Sequence, residues 1–399
     1  MRLIYVTGGF PYPLTSGYLR HYHLLTRLAA AHDVRLFSLV AGDHTDADRE
    51  AVRRLGVEIR TFDVSSTVWR RQGRQVGRLL PRVVVGAAAE LRRAVAECVE
   101  SGWAQAAVLT GKTTSGTLSV LSGLPLVVDA CDAASMRLES ELADLSGVDR
   151  LLARLELRAV SSVERRLNRH ADAILVASRR DGEHLWLSSK TSVVPNGVDT
   201  AYWTRTTTTR PRDTVIFTGK MSYGPNEDAA LRLATEVWPI VRERRPEARL
   251  LVVGTSPRAR LTSVGGRDGV EVTGSVPDMR EYLEQATVFA APIRYGAGIQ
   301  NKLLEALAMQ LPVVASTNAA DGLVIDGEPP PVHVTDALDD MAEIIVAELA
   351  AADLDPTPVE TNRTWVADRF DWDVSADRID GILRRLVEAR CGIDDAGGM

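Results

Sequence analysis

The chain has 399 residues, 47 of them Lys or Arg and 53 Asp or Glu, for a net charge of −6. At roughly 100–200 residues per domain, this length allows two separate hydrophobic cores. Its three cysteines, Cys98, Cys131 and Cys391, lie far apart with no CxxC spacing, which suggests neither a disulfide framework nor a zinc site. The charge is uneven, +5 over residues 1–190 and −11 over the rest. A basic front half attracts an anionic acceptor or anionic lipid, although it also fits ordinary solvated surface, and no nucleic-acid partner is expected. The opening MRLIYVTGGF lacks the basic region and long apolar core of a signal peptide, and no apolar run approaches the roughly 20 residues of a membrane span. A cytoplasmic protein is the expectation.

Apolar runs alternate with helical patterns from the start. RLIYVTG at 2, VRLFSLV at 34, VEIRTFDV at 57, AAVLTG at 106, PLVVDA at 125 and AILVAS at 173 read as buried parallel strands. After β-strand one, TGGFPYPLTSGYLRHYHLL sets a Gly- and Pro-rich turn before a helix, a start of the kind that binds phosphate. Arg20, His21 and His23 follow on that helix, with the histidines expected at its surface and a cleft-facing His21 as the alternative. WRRQGRQVGRLLPRVVVG, with Arg70, Arg71, Arg74, Arg78 and Arg82, extends the localisation to peripheral contact with the inner membrane face, a solvated or acceptor-facing segment being the alternative. The segment PLVVDACDAAS ends a strand on Asp129, Cys131 and Asp132, and Asp132 reads either as a site carboxylate or as the N-cap of the following helix.

The pattern pauses over residues 196–212, NGVDTAYWTRTTTTRPR, which is taken as an interdomain linker between an N-terminal domain at 1–195 and a C-terminal domain at 213–372. A second strand series follows: TVIFTG at 214, RLLVVG at 249, VEVTG at 270, TVFAAP at 287 and PVVAS at 312. Together the two series predict an α/β protein of two doubly wound, Rossmann-like domains. The segment 373–399 has helical spacing and is expected to be able to cross back to the first domain. The DWD triplet at 371–373 precedes this helix and reads as a cap rather than a metal motif.

The most informative stretch is APIRYGAGIQNKLLEALAMQLPVVAS. A strand ends, glycines at 296 and 298 free the backbone, and a helix begins near Ile299, so exposed amides stand where phosphate would bind. Glu305, four residues after Asn301 in an apolar helix, needs donors such as a ribose diol, or else pairs with Lys302 or faces solvent. Lys220 follows Gly219 at the end of TVIFTG, and its plain alternative is an ordinary surface lysine.

GIQNKLLEALAMQLPVVAS resembles the donor-site helix of glycosyltransferase family 4, retaining enzymes of the GT-B fold with two facing Rossmann-like domains. SVVPNGVDTAYW, IFTGKMSYGPNEDAALRLATEVWPIVRERRPEARLLVVG and VTGSVPDMREYLEQATVFAAP are similar to other elements of that family, in the same order, and the GIQNK form resembles bacterial exopolysaccharide and natural-product sugar transferases. The resemblance implies a metal-independent hexosyltransferase with no cofactor. It would move a sugar from a nucleoside diphosphate sugar, UDP foremost, to a hydroxyl of a small-molecule, glycan or lipid-linked acceptor, with retention.

By the same resemblance Glu305 holds the ribose, and Gly298, Ile299, Gln300 and Asn301 lie near diphosphate or sugar. Lys220 would neutralise the leaving diphosphate beside Gly219, Ser16 and Gly17 end a glycine loop approaching it, and Asp132 orients a hydroxyl. Three family positions depart. Ala297 stands where a sugar-contacting glutamate is usual, Cys131 replaces a histidine, and the second basic residue falls on Pro225 or Asn226, with Arg294 or Lys302 as substitutes. These departures keep two rivals open: epimerase or pseudo-glycosyltransferase chemistry on the same fold, and a catalytically silent nucleotide-sugar-binding subunit.

Overall fold

The computed structural model describes residues 1–14, 18–41, 44–64, 85–142, 145–185, 189–296, 298–325 and 327–396. The segment 69–82 with its arginines, Ser16, Gly17 and Ala297 lie outside the described residues. The chain divides into two compact units. Unit 1 comprises 1–177, 181–195 and 375–399, and unit 2 comprises 178–180 and 196–374.

Unit 1 holds β1 (Arg2–Thr7), β2 (Asp33–Ala41), β3 (Glu58–Val64), β4 (Ala106–Thr110), β5 (Leu126–Cys131), β6 (Ala173–Val176) and β7 (Thr191–Val193). They form one sheet in the order β3-β2-β1-β4-β5-β6-β7, every pair parallel. A parallel sheet with helices on both faces demands continuous apolar strands, and all five residues of β4 are buried. Ile4, Val6, Phe37, Leu109, Val128 and Ile174 share one core.

Unit 2 holds β8 (Thr214–Thr218), β9 (Arg249–Val253), β10 (Val270–Gly274), β11 (Val288–Ala291), β12 (Val313–Ala315) and β13 (His333–Val334), ordered β10-β9-β8-β11-β12-β13 and again all parallel. Phe217 of β8 and Phe289 of β11 bring their rings to 6.3 Å across neighbouring strands. Pro225 opens the helix Gly224–Arg232 in its first turn, where a missing N–H costs nothing.

Residues 196–212 pack within unit 2. Arg205 and Arg210 are buried, and their guanidiniums reach backbone carbonyls: Arg205 donates to Glu284 at 2.8 Å, and Arg210 to Thr357 at 3.1 Å and Asp355 at 3.2 Å. A fixed arginine at each end explains why a Thr-rich, turn-rich segment is ordered here. The helix Trp372–Ala396 starts in unit 2 and from Ser375 belongs to unit 1. There Ser375 donates to the Pro195 carbonyl at 2.9 Å, and His32 Nε2 lies 2.7 Å from Asp380 Oδ1. The DWD triplet caps this helix as its spacing suggests, Asp371 Oδ1 accepting the Asp373 N–H at 3.0 Å.

Candidate functional site

In a doubly wound sheet the crevice opens where the strand order reverses, beyond the carboxyl ends of the two central strands. In unit 2 those strands are β8 and β11. Gly219 and Lys220 follow β8, and residues 292–300 follow β11 into the helix Asn301–Ala308.

The loop after β8 is pinned from below. A Cβ on Gly254 would lie 1.8 Å from the Gly219 carbonyl oxygen, and one on Gly219 would lie 2.7 Å from Asn226 Nδ2. Both positions therefore need glycine for close approach. Asn226 is the hub of this corner: its Nδ2 donates to the Lys220 carbonyl at 3.1 Å, and its Oδ1 accepts from Lys302 Nζ at 2.5 Å. Lys302 also lies 3.4 Å from Gln300 Oε1 and 5.4 Å from the Phe217 ring centre. One network thus joins the turn after β8 to the helix after β11. The Lys220 side chain is exposed and takes no carboxylate partner among the described residues.

Gly298 takes a φ of 74°, a left-handed conformation that glycine adopts without strain, and turns the chain into the Asn301 helix. Gln300 at the N-cap makes no side-chain capping bond. The first backbone hydrogen bond of the turn runs from Leu303 N to Gln300 O, so the N–H groups of Ile299, Gln300 and Asn301 find no acceptor among the described residues. Such amides, with the positive end of the helix dipole behind them, favour an anion. Glu305 is half-buried beyond them. Burial pushes its carboxyl up to about 7, with Lys302 acting against that shift, while burial pulls Lys302 down to about 8. Lys302 is fixed on Asn226 rather than in a close ion pair with Glu305, leaving the Glu305 oxygens for another donor.

Arg294 is engaged elsewhere, holding Asp228 of the Gly224 helix through two bonds of 2.9 and 2.6 Å. It also borders a cavity of 510 Å³ lined by Arg232, Ser316, Asn318 and Asp336, to which neither Lys220 nor Glu305 contributes. Asn196, read from sequence as linker, brings its Nδ2 to 3.4 Å from Asn301 Oδ1 at the helix start. Asn226 and Asn196 escaped sequence reasoning. The signal for Asn226 was the Pro-Asn pair at a helix start, placed where a cation was sought.

In unit 1 the central strands are β1 and β4. Gly8 and Gly111 meet beyond their ends, a Cβ on Gly111 falling 3.3 Å from the Gly8 backbone. Behind this turn the polar groups neutralise one another. Arg20 Nε donates to Asp129 Oδ2 at 2.8 Å and Arg20 Nη1 to the Pro195 carbonyl at 3.0 Å, with Arg20 and Asp129 at 4% and 2% exposure. Burial pulls the guanidinium down, but Asp129 outweighs it and holds Arg20 above its usual value. The histidines are not at the surface, contrary to expectation. His21 and His23 are buried, and His21 Nδ1 lies 3.0 Å from the Tyr5 hydroxyl. The reason is the apolar face of Leu24, Leu25 and Leu28, which turns His21 inward with it. Burial lowers His21 to about 4, so it is neutral at pH 7.

Cys131 takes a φ of 58° where the β5–β6 register shifts, and burial raises its thiol pKa. That kink directs the chain to Asp132. Asp132 does not cap the next helix: the Ala133 N–H goes to Asp181 Oδ1 at 3.0 Å and the Ser135 N–H to Glu164 Oε1 at 3.2 Å. Its carboxylate, half-exposed, has no partner among the described residues.

Comparison with known proteins bears on both units. Residues 212–350 match the family model described as glycosyl transferases group 1. No curated protein matches the chain. Among solved structures, HepE of Anabaena in complex with UDP is 14% identical with a TM-score of 0.66, covering 96% of this chain and 100% of that one. HepE with UDP-glucose gives 15%, 0.62, 96% and 99%. The sucrose-phosphate synthase of Thermosynechococcus elongatus is 16% identical with a TM-score of 0.67, covering 98% of this chain and 100% of that one. The two units accordingly carry the pair of Rossmann-like folds found in GT-B glycosyltransferases.

Proposed function

We infer that the chain transfers a glycosyl group from a nucleoside diphosphate sugar, UDP-linked first, to a hydroxyl acceptor with retention of configuration. The observation that carries this reading is the corner of unit 2 at the ends of β8 and β11. An exposed lysine without a carboxylate and three amides without an acceptor among the described residues stand there with a half-buried glutamate. Diphosphate has the charge that Lys220 and the amides of Ile299, Gln300 and Asn301 lack a partner for. A ribose diol supplies the two donors that Glu305 needs. The match of residues 212–350 to the group 1 family model supports the same assignment, because it spans all of these residues.

In glycosyl transfer the transition state is oxocarbenium-like and negative charge grows on the leaving diphosphate. Lys220 and the helix-start amides stabilise that charge in place of a metal ion, with the Lys302–Asn226 pair holding the Lys220 turn. Unit 1 takes the acceptor, a small molecule, glycan or lipid-linked sugar, and Asp132 orients its hydroxyl. Arg294 joins the donor site only by exchanging Asp228 for phosphate.

A thermal-shift screen against UDP, GDP, ADP and TDP sugars tests the donor claim, since ligand at 100 times its Kd stabilises by about 2.7 kcal/mol. No shift with any of them would sink it. Proton NMR of the glycoside formed then reads the anomeric configuration. An epimerised donor without acceptor, or bound donor never consumed, would select one of the two rivals instead.

A further inference from the structure

The helix Gly147–His170 carries an apolar stripe on the wrong side. At about 100° per residue, its buried residues Ala153, Glu164 and Leu167 mark one face. Val148, Leu151 and Leu155 fall on the opposite face, exposed to 72%, 57% and 39%. Single exposed apolar side chains are common on any protein surface. Here three lie within two turns of one helix, among only eight large apolar side chains exposed in the described residues.

Arg150, Arg154 and Arg158 run beside that stripe at four-residue spacing, all exposed, and none forms an ion pair among the described residues. The contrast is the helix Asp46–Arg53, where Arg49 and Arg53 take carboxylates three residues away. Six arginines on the long helix stand against three acids, Asp149, Glu156 and Glu164. Glu164 is buried and paired with Lys112 at 2.7 Å, and Arg165 and Arg169 extend the basic edge toward the C-terminal end. In a chain of net charge −6 this is a local cationic surface.

Exposed leucines flanked by unpaired arginines fit an interface that offers hydrocarbon and phosphate at different depths. An antiparallel second copy of the chain does not fit as well, because two-fold pairing of that kind sets arginine rows against each other. A nucleic acid would satisfy the arginines and leave the leucines in water. We propose that the outer face of this helix rests on an anionic lipid bilayer, with Val148, Leu151 and Leu155 entering the acyl boundary and Arg150, Arg154 and Arg158 meeting lipid phosphates. The contact lies on a different segment from residues 69–86, the one singled out by sequence. No described helix is long and apolar enough to cross the membrane, so the attachment is lateral and reversible.

The test is co-sedimentation of the full chain with vesicles of phosphatidylcholine alone or with about one third phosphatidylglycerol. It needs neither donor nor acceptor, so its outcome is separate from that of the glycosyl-transfer assignment. Wild type is expected to sediment with the anionic vesicles, not the neutral ones, and to be released by salt. Val148→Ser/Leu151→Ser/Leu155→Ser and Arg150→Gln/Arg154→Gln/Arg158→Gln should each weaken partitioning at least about tenfold with little change in Tm, as expected of exposed sites. Leu151→Ser alone serves if a triple variant does not fold. Absence of binding to anionic vesicles, or variants that bind like wild type, would overturn the proposal. So would a dimer in light scattering that the serine variant dissolves, since the stripe would then be a self-interface.

Discussion

The two switch points follow one topology and use charge in opposite ways. Beyond β8 and β11, Lys220 and the helix-start amides have no counter-charge among the described residues, and Asn226, a neutral side chain, holds the corner together. Near the ends of β1 and β5, Arg20 and Asp129 are buried against each other and His21 is locked neutral on Tyr5. A crevice whose cations lack partners is prepared for an anion from outside. Where the buried Arg20 and Asp129 are matched with each other, an anion from outside gains no counter-charge from them. On the proposed function the nucleotide end belongs to unit 2, and Asp132 is the carboxylate of the unit 1 corner that has no partner among the described residues.

The comparison breaks most visibly at Arg20. Arg20→Ala leaves Asp129 buried without its guanidinium and should cost about 3–5 kcal/mol, read by urea unfolding. The double variant Arg20→Ala/Asp129→Ala should recover part of that loss, whereas a single variant as stable as wild type would mean that the pair is not neutralising. Lys220→Ala should do the reverse. Stability should stay within about 0.5 kcal/mol, while kcat with a UDP sugar falls about a hundred- to a thousandfold for a lost charge stabiliser.

Glu305 sharpens the comparison through pH. Its folded pKa, raised to about 7 by burial, exceeds the ordinary value of 4.5, so the folded state binds more protons between these values. Its stabilising contribution is complete below about 4.5 and is lost as pH rises through about 7. Glu305→Gln removes this loss, so its Tm relative to wild type should climb between pH 4.5 and 7 and level off above. Lys302, lowered to about 8, acts in a separate window: its contribution is present above its ordinary value and lost as pH falls through about 8. The smallest effect is expected at Arg294. Arg294→Ala removes a partly exposed ion pair with Asp228 and should change stability by no more than about 1 kcal/mol. A large loss of donor affinity in that variant would show that the arginine changes partner when donor binds.

The strands were legible because parallel strands buried on both faces are written as unbroken apolar runs, and RLIYVT, AAVLT and TVIFT each became one. β7 and β13 were not, since three and two residues at a sheet edge carry no periodicity. At the site, glycines and the helix start were readable from local backbone needs. What stayed hidden is pairing across sequence distance. Nothing near Arg20 announces Asp129, 109 residues on, and nothing near Lys302 announces Asn226, 76 residues before it. The inward turn of His21 was missed for the same cause: its partner Tyr5 sits on another element.

The helix Trp372–Ala396 carries a further consequence for how the chain is made. Ser375 fastens Pro195, and Asp380 reaches His32 near the opposite end of the sequence. Unit 1, whose strands leave the ribosome first, is therefore finished last. The contacts at Pro195 and His32 wait until residues 375–380 emerge, by which time unit 2 has been synthesised in full. A chain stopped before residue 375 would carry every residue of the second unit and lack the last segment of the first.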